Sequence, residues 1–303
     1  MKLRALSGLV AAIEEGSLRS AARRLDLSQP ALTKLIRELE TEVGASVLQR
    51  STGGVFPTAQ GKALYDHARR ILHEVDEAKT EIDQLSGRMT GELTIAGVPL
   101  SLVVLIPEAM RTFCREYPDI QLRLREELYI AHLELLRSGV ADIAVGPIPG
   151  GLPIGEFEAE PLMPIELAVI AGRDNPLAEA TSLKQLAGAR WVYTSLTGKS
   201  SYARMLFERN GLTAPPAAAI ANSTLAMAGL ISQGDYIGLM PMKLARHPAA
   251  GHFLKVVPIE EGPLEMTLGA IVRRQSSLKP SVRHFITHLQ QAVQRINAAD
   301  AAG

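Results

Sequence analysis

One short stretch of the chain combines an amide, a hydroxyl and two cationic groups, those of Gln29, Thr33, Lys34 and Arg37. On a helix these groups share one face, because residues three and four positions apart are neighbours. Amides and hydroxyls bond to base edges in the major groove, and Lys and Arg bind bases and phosphates. The stretch therefore predicts contact with duplex DNA. Apolar positions form the opposite face: Leu32, Leu35, Ile36, Leu39 and Val43.

Helices are also predicted before this stretch. Apolar residues at helical spacing indicate a helix over residues 3–15, which Gly16 is expected to end. Ser17 is a suitable cap for a second, short helix. Ser28 suits the cap of the third, in which the missing N–H of Pro30 does no harm in the first turn. The periodicity fits a helix-turn-helix and also an ordinary corner of a helical bundle with a solvated polar face.

A β-hairpin is predicted directly after the third helix. Short apolar runs at 47–48 and 55–56 flank a Gly53-Gly54 turn. Arg50 lies at the base of this hairpin, where it can reach a phosphate or the minor groove. Helices followed by such a wing predict an all-α winged helix-turn-helix over residues 1–58.

The distribution of charge supports DNA contact, although the formal net charge is zero. Residues 1–70 hold 11 Lys and Arg against 7 Asp and Glu, so the N-terminal part is basic and the remainder is acidic. Cys114 is the only cysteine, and no signal peptide or membrane-length apolar run is present. We therefore expect a cytoplasmic protein, associated with the bacterial nucleoid through DNA. Cys114 is expected to be a small buried hydrophobic residue.

The N-terminal segment resembles the signature of LysR-type transcriptional regulators. Three departures are evident: Thr33 replaces a common Ser, Leu48-Gln49 a common Phe-Glu pair, and Pro57 a common Leu. The resemblance needs no insertion or deletion. The similar residues are 15–18, 21–25, 27–33, 36–40, Gly44, Leu48, Arg50, Thr58 and Gly61. The predicted DNA-binding residues are Ser17, Arg19, Ser28, Gln29, Pro30, Thr33, Lys34, Arg37, Arg50 and Gly53.

A long helix is predicted from Thr58, its cap, to about Ser86. Its apolar residues repeat at intervals of four and three, which is the heptad pattern of helices that pair. The other faces are polar, so pairing with a second copy is favoured over packing on the C-terminal domain. The family uses its linker helix in this way. The predicted dimerisation residues are Leu64, Ala68, Ile71, Val75, Ala78, Ile82 and Leu85.

The rest of the chain alternates predicted strands and helices, which indicates an α/β fold with largely parallel sheets. The order resembles the LysR effector domain, whose fold is that of periplasmic binding proteins, with two lobes. The predicted domains are 1–58, a linker helix over 59–87, and an effector domain over 88–303. Lobe I is assigned to 88–162 and 267–303, and lobe II to 163–266. The predicted strands are 93–96, 120–124, 143–145, 167–170, 191–193, 236–240 and 266–272; the predicted helices are 101–117, 129–138, 200–210, 223–233 and 278–297.

Hydroxyl-rich turns at predicted helix starts suggest where a small effector binds. In open α/β sheets ligands lie beyond the carboxyl ends of strands, where helix N-termini favour anions. Simple helix capping explains each turn equally well when it is taken alone. Together, the hydroxyls and free N–H groups at these helix starts predict a small polar or anionic effector, and the resemblance implies that it binds between the two lobes. The predicted effector-binding residues are Pro99, Leu100, Ser101, Thr194, Ser195, Thr197, Gly198, Ser200, Asn222, Ser223 and Thr224.

Other functions find less support in the sequence. Gly198-Lys199-Ser200 ends like a phosphate-binding loop, but Tyr193 stands where that loop needs glycine. His284 and His288 are four residues apart, yet nothing is placed to complete a metal site, so a solvated pair is expected. An enzyme on an α/β scaffold finds no support, because the sequence shows no nucleophile elbow, metal motif or paired carboxylates. A solute-binding protein would need a secretion signal and would not carry a helix-turn-helix.

Together these patterns predict a transcriptional regulator, not an enzyme, without metal or cofactor. It should bind operator DNA as a dimer or a dimer of dimers and respond to a small effector. Its expected partners are double-stranded DNA, the effector, further copies of itself and, for an activator, RNA polymerase. No membrane partner is expected.

Overall fold

The computed structural model describes residues 1–51, 54–194, 201–247, 253–274 and 278–302. The chain divides into two compact parts, an N-terminal unit, Met1–Arg88, and a C-terminal unit, Met89–Gly303. Each has its own hydrophobic core. No helix within the described ranges is both long and apolar enough to cross a membrane.

The N-terminal unit is built from helices with a two-stranded wing. The Ser17 and Ser28 hydroxyls accept bonds from the backbone N–H groups of Ser20 and Ala31, as expected of caps. Gly16 and Gly44 end their helices in the left-handed conformation. The elements are α1 (Leu3–Glu15), α2 (Leu18–Arg24), α3 (Gln29–Val43), β1 (Leu48–Ser51), β2 (Gly54–Pro57) and α4 (Ala59–Leu85).

Close backbone contact fixes the start of α4 against the wing. Thr58 donates its backbone N–H to the Val47 carbonyl at 3.1 Å, and its hydroxyl accepts from Gly61 N at 2.9 Å. A Cβ on Gly61 would lie 1.8 Å from the Val47 carbonyl oxygen, which no side chain can tolerate. Glycine at position 61 is therefore required for this packing.

The seam of α4 departs from its prediction at one end. Ala68 is fully buried in the core of the N-terminal unit, and Leu64 packs partly against the same core. The predicted dimer contact of Ala68 is therefore wrong, because intramolecular packing already covers it. Further along, Ile82 and Leu85 are 63% and 70% exposed. Ile71 and Ala78 are also exposed, and Val75 is half-buried.

Within the described residues, the strands of the C-terminal unit form one nine-stranded sheet. The sheet order is β4-β3-β5-β11-β6-β9-β7-β8, and β10 pairs with β6. Pairing is parallel among β3, β4 and β5 and among β7, β8 and β9, but antiparallel wherever β6 or β11 takes part. The strands are β3 (Gly91–Gly97), β4 (Ile120–Glu126), β5 (Ile143–Pro147), β6 (Phe157–Gly172), β7 (Arg190–Thr194), β8 (Ala217–Ala221), β9 (Tyr236–Pro241), β10 (Leu254–Val256) and β11 (Leu264–Arg273).

Helices connect these strands. Every predicted strand lies within an observed one, but β8, β10 and the first half of β6 were not predicted. The predicted helix over 101–117 begins as a π-helical turn, Ser101–Leu105. A 3-10 turn lies at Pro176–Glu179. The helices are α5 (Ile106–Glu116), α6 (Tyr129–Arg137), α7 (Leu183–Leu186), α8 (Tyr202–Arg209), α9 (Thr224–Gln233), α10 (Met242–Ala245) and α11 (Pro280–Ala302).

The strands β6 and β11 run as a long antiparallel pair through the middle of the sheet. The pairing extends from Leu264 opposite Leu167 to Arg273 opposite Phe157, with an irregularity at Leu268/Gly269. The predicted lobe boundaries, after residue 162 and after residue 266, fall inside these two strands. Each of the two strands therefore crosses a predicted lobe boundary, with the parallel strands β3, β4 and β5 on one side of the pair and β7, β8 and β9 on the other.

Two expectations for single residues are wrong. Cys114 is exposed instead of buried, since it lies on the outer face of α5. His288 is buried instead of solvated: its Nδ1 is 2.7 Å from the Thr112 hydroxyl and its ring meets that of Phe113 edge to face. Burial lowers the pKa of His288, and the nearby Glu116 carboxylate partly opposes this. No group of metal-ligating side chains occurs among the described residues.

Candidate functional site

The exposed face of α3 presents the polar side chains predicted to meet DNA. Gln29, Pro30, Lys34 and Arg37 are exposed, and Thr33 is half-buried. Below them, the opposite face packs into the core through Leu32, Ile36 and Leu39, whereas Val43 is exposed. The Lys34 ammonium lies 4.0 Å from the Glu38 carboxylate, a contact weak enough to exchange for a phosphate.

The remaining predicted DNA contacts divide by location. Ser17 and Ser28 are occupied as helix caps, and Arg19 is exposed on α2. Arg50 belongs to β1, where its backbone pairs with Val55. Gly53 lies outside the described residues.

Glu40 holds the wing against the recognition helix, a role that the sequence did not indicate. Its Oε1 accepts from the Val47 N–H at 2.9 Å and from the Ser46 hydroxyl at 3.0 Å. From the sequence, this residue was named only within the stretch 36–40 that resembles the family signature. The donors lie only six and seven residues further along the chain, but no residue pattern between α3 and β1 marks the contact.

Glu14 fixes α2 from the other side of the N-terminal unit. It accepts from Arg24 Nη1 at 2.7 Å and from the Tyr65 hydroxyl at 3.1 Å. The hydrogen bond to Glu14 raises the pKa of Arg24, so this guanidinium stays charged and engaged. Arg24 is exposed like Arg19 and Arg23, but its ion pair with Glu14 gives it a structural role.

A cavity of about 220 Å³ opens at the carboxyl ends of both sets of parallel strands in the C-terminal unit. One side follows the ends of β3, β4 and β5, and the other follows those of β7, β8 and β9. This is where open α/β sheets bind ligands. The lining residues are Val98, Pro99, Leu100, Leu128, Pro147, Ile165, Leu167, Thr194, Ser201, Tyr202, Met205, Thr224, Met227, Leu239, Pro241 and Leu244.

Some predicted effector residues lie on this wall and others do not. Pro99, Leu100, Thr194 and Thr224 line the cavity. Asn222 is exposed and Ser223 caps α9 by accepting from Ala226 N, and neither lines the cavity. Ser195, Thr197, Gly198 and Ser200 lie outside the described residues.

The prediction for Ser101 needs correction. Its side chain is fully buried, and its hydroxyl donates to the Val145 carbonyl at 2.7 Å. It therefore joins the turn after β3 to β5 beneath the wall instead of facing the cavity. The neighbouring Leu100 faces the cavity in its place.

The wall is more apolar than the predicted hydroxyl clusters suggested. Its polar groups are those of Thr194, Ser201, Tyr202 and Thr224, and no charged side chain lines it within the described part of the chain. Ser201 caps α8 by accepting from Arg204 N at 3.2 Å. The cavity can therefore hold a largely apolar molecule with one end near hydroxyls and helix N-termini.

Comparison with known families covers both units. Residues 3–62 match the family described as bacterial regulatory helix-turn-helix protein, lysR family, and residues 86–294 match the LysR substrate binding domain. The chain belongs to the LysR family of transcriptional regulators. In this LysR-type regulator, residues 3–62 are the DNA-binding helix-turn-helix segment. The fold class and the role of a DNA-binding transcriptional regulator, both expected from the sequence, are confirmed.

Individual relatives of this LysR-type regulator match along nearly its whole length. It is 26% identical to the HTH-type transcriptional regulator GbpR of Azospirillum brasilense, over 96% of this chain and 86% of the relative. It is 28% identical to the HTH-type transcriptional regulator YnfL of Escherichia coli, over 97% and 99%. The crystal structure of CbnR, a LysR family transcriptional regulator, superposes with a TM-score of 0.72 at 22% identity, over 97% of this chain and 99% of CbnR.

Proposed function

We propose that this regulator reads operator DNA with α3 as a dimer or a dimer of dimers, and that a small effector in the cavity controls it. The observation that carries the proposal is that one chain has both features: an exposed, cationic face on α3 in the N-terminal unit and an apolar cavity at strand ends in the C-terminal unit. CbnR, which shares the fold, has been crystallised with its target DNA. The cytoplasm is the compartment this function requires.

For DNA, the proposal assigns different tasks to neighbouring side chains. Gln29 and Thr33 contact base edges, and Lys34 and Arg37 contact bases or phosphates. Loss of a base contact costs about 1–3 kcal/mol for the cognate sequence, whereas loss of a phosphate contact weakens all sequences and lowers the salt dependence.

The test uses an operator selected from random duplexes and a salt series. We expect Gln29→Ala to relax preference at one base pair, and Lys34→Ala to reduce affinity evenly with a shallower salt slope. Arg111→Ala removes an exposed cation from α5 and serves as control. Unchanged binding by both α3 variants would show that another surface reads DNA, and no binding by the wild type would favour a solute binder or an enzyme.

For assembly, the proposal rests on the exposed end of the α4 seam. Ile71, Ala78, Ile82 and Leu85 share the heptad face, and large exposed apolar side chains at such spacing favour a second helix. The double variant Ile82→Asp, Leu85→Asp should shift the protein toward monomer by light scattering and weaken DNA binding. Lys79→Asp introduces one such charge off the seam and should leave assembly intact. A double variant that assembles like the wild type would instead place this face against the chain's own residues.

For the effector, the apolar wall refines the expectation of a polar or anionic molecule. Most of the lining is Leu, Ile, Val, Met and Pro, so apolar burial supplies the affinity while hydroxyls orient one polar group. The effector acts only if it binds one arrangement of the protein more tightly than another. In an activator, RNA polymerase is the additional partner. Leu239→Trp should fill the cavity and abolish the effector response while leaving basal DNA binding unchanged, as measured by retardation with and without cell-derived small molecules.

A further inference from the structure

A histidine lies directly behind one wall of the cavity. His132 is on α6, one helical turn after the lining residue Leu128, and it is fully buried. Its Nε2 is 3.2 Å from the Glu127 carbonyl oxygen. Because a carbonyl only accepts hydrogen bonds, Nε2 carries the ring proton and Nδ1 presents a lone pair.

The lone pair of Nδ1 has no hydrogen-bond partner within the described part of the chain. Around it, a Cβ added to Gly146 would lie 3.0 Å from Nδ1 and 3.4 Å from Val98 Cγ1. Val98 and Pro147, the residue after Gly146, both line the cavity. Nδ1 is therefore one layer from the cavity, on the side of lobe I.

A buried acceptor without a donor is costly, so most such atoms in folded proteins have a partner. Burial lowers the pKa of His132 to about 4, although the bond to the Glu127 carbonyl opposes this. The ring is neutral at physiological pH and offers a lone pair instead of a positive charge. The group that complements it is an O–H or N–H donor, whereas a carboxylate would meet no donor there.

We propose that Nδ1 of His132 is a specificity determinant of the cavity, and that the effector is a mainly apolar molecule carrying a neutral hydroxyl or N–H group. This donor reaches Nδ1 through one ordered water, because Nδ1 is buried behind the residues that line the cavity. The apolar body lies against Ile165, Leu167 and Leu239, which face the cavity from β6 and β9. The inference rests on the proposed effector role of the cavity and names the chemical class of its ligand.

The test compares two probes that differ in one donor, benzyl alcohol and benzyl methyl ether, on the full chain labelled with ¹⁵N-histidine. The free protein should show His132 with a proton on Nε2 and none on Nδ1. Benzyl alcohol should move the Nδ1 resonance, and the ether should not. Because one neutral hydrogen bond is worth about 0.5–1.5 kcal/mol, the alcohol should bind about 2- to 12-fold more tightly.

Variants locate the effect. His132→Phe should remove the preference for the alcohol, and His132→Asn, whose amide oxygen can replace Nδ1, should keep part of it. If the Phe variant does not fold, the Asn variant and the wild-type resonances still decide. Leu239→Trp should abolish binding of both probes, which ties them to the cavity.

Two results overturn the inference. Equal binding of both probes in the cavity, with an unmoved Nδ1 resonance, rejects the role of His132 but leaves the effector cavity in place. Failure of benzyl alcohol and of a wider panel of matched alcohols and amines to bind at all rejects both this inference and the proposed effector role.

Discussion

The α3 face and the cavity differ in how far apart along the chain their residues lie. The exposed face of α3 comes from a single helix, and the elements that support this helix all lie within residues 3–85. The cavity draws its wall from residues as distant as Val98 and Leu244, which the sheet brings together. A surface built on one helix tolerates single changes at its rim, whereas a cavity built from strand ends depends on the whole sheet.

This comparison predicts that each unit can be damaged without the other. The largest effect is expected for Gly61→Ala, because the new Cβ would overlap the Val47 carbonyl oxygen. Overpacking against backbone costs about 1–3 kcal/mol or more. Thermal unfolding followed by circular dichroism should show early melting of helices, while fluorescence of Trp191, the only tryptophan, reports an unchanged C-terminal unit.

The control is Gly188→Ala, where an added Cβ meets nothing within 4 Å. This variant should melt like the wild type by both signals. Early loss of Trp191 fluorescence in Gly61→Ala would show that the two units unfold together, and the contrast between them would fail.

The second prediction concerns pH and belongs to the cavity side. The pKa of His132 is about 4 in the folded protein against an ordinary value of 6.5. Between pH 6.5 and about 4, His132 is protonated in the unfolded chain but not in the folded protein. The free energy of unfolding therefore decreases as the pH falls from 6.5 toward 4. The loss attributable to this group is about 3 kcal/mol.

Urea unfolding followed by Trp191 fluorescence between pH 7 and pH 4 measures this pH dependence of the free energy of unfolding. His132→Asn should show a flatter dependence than the wild type, since the titrating ring is gone. Parallel curves for the two proteins would mean that the ring is protonated in the fold or reached by water.

The third prediction tests how the wing is held. Glu40→Ala removes the acceptor of Val47 N and of the Ser46 hydroxyl, which costs about 2 kcal/mol because bonds to a charged group are the stronger kind. DNA affinity should fall although no DNA-facing side chain has changed. Glu42→Ala, an exposed change two residues further along α3, should do neither; equal losses in the two variants would reduce the effect to net charge.

The smallest expected effect distinguishes the roles of two hydroxyls near the cavity, those of Ser101 and Thr224. Ser101→Ala should lower the stability of the C-terminal unit by about 1 kcal/mol, since the Val145 carbonyl loses a buried donor, and should leave benzyl alcohol affinity unchanged. Thr224→Val should do the reverse, because Thr224 faces the cavity. Calorimetric titration and urea unfolding of both proteins give the answer, and a weaker probe affinity in Ser101→Ala would return that residue to the wall.

Local patterns explain what the sequence predicts well. Caps such as Ser17, Ser28 and Thr58 act within three residues, so their roles follow from neighbours in the chain. Most of the predicted strands have buried apolar runs, although β4 buries only Ile120. By contrast, β8 is alanine-rich and carries little signal.

Non-local pairing explains what the sequence could not supply. The hydroxyl of Ser101, in a turn after a strand, suggests a ligand-binding residue. Its hydrogen-bond acceptor, the Val145 carbonyl, lies on β5, and this bond directs the hydroxyl away from the cavity. Leu128, Ile165 and Met205 look like ordinary core residues until the sheet order brings them to one cavity. Neither helical nor strand periodicity contains that order.

The long antiparallel pair of β6 and β11 limits how the two sides of the sheet can move. Two lobes joined by flexible linkers can swing apart with little resistance, but here two paired strands pass from one to the other. Relative motion of the lobes must therefore twist or bend a hydrogen-bonded ribbon, and the irregularity at Leu268/Gly269 is its most compliant point. Small rotations of one set of parallel strands relative to the other would distort these hydrogen bonds, so the ribbon favours a return to its original twist.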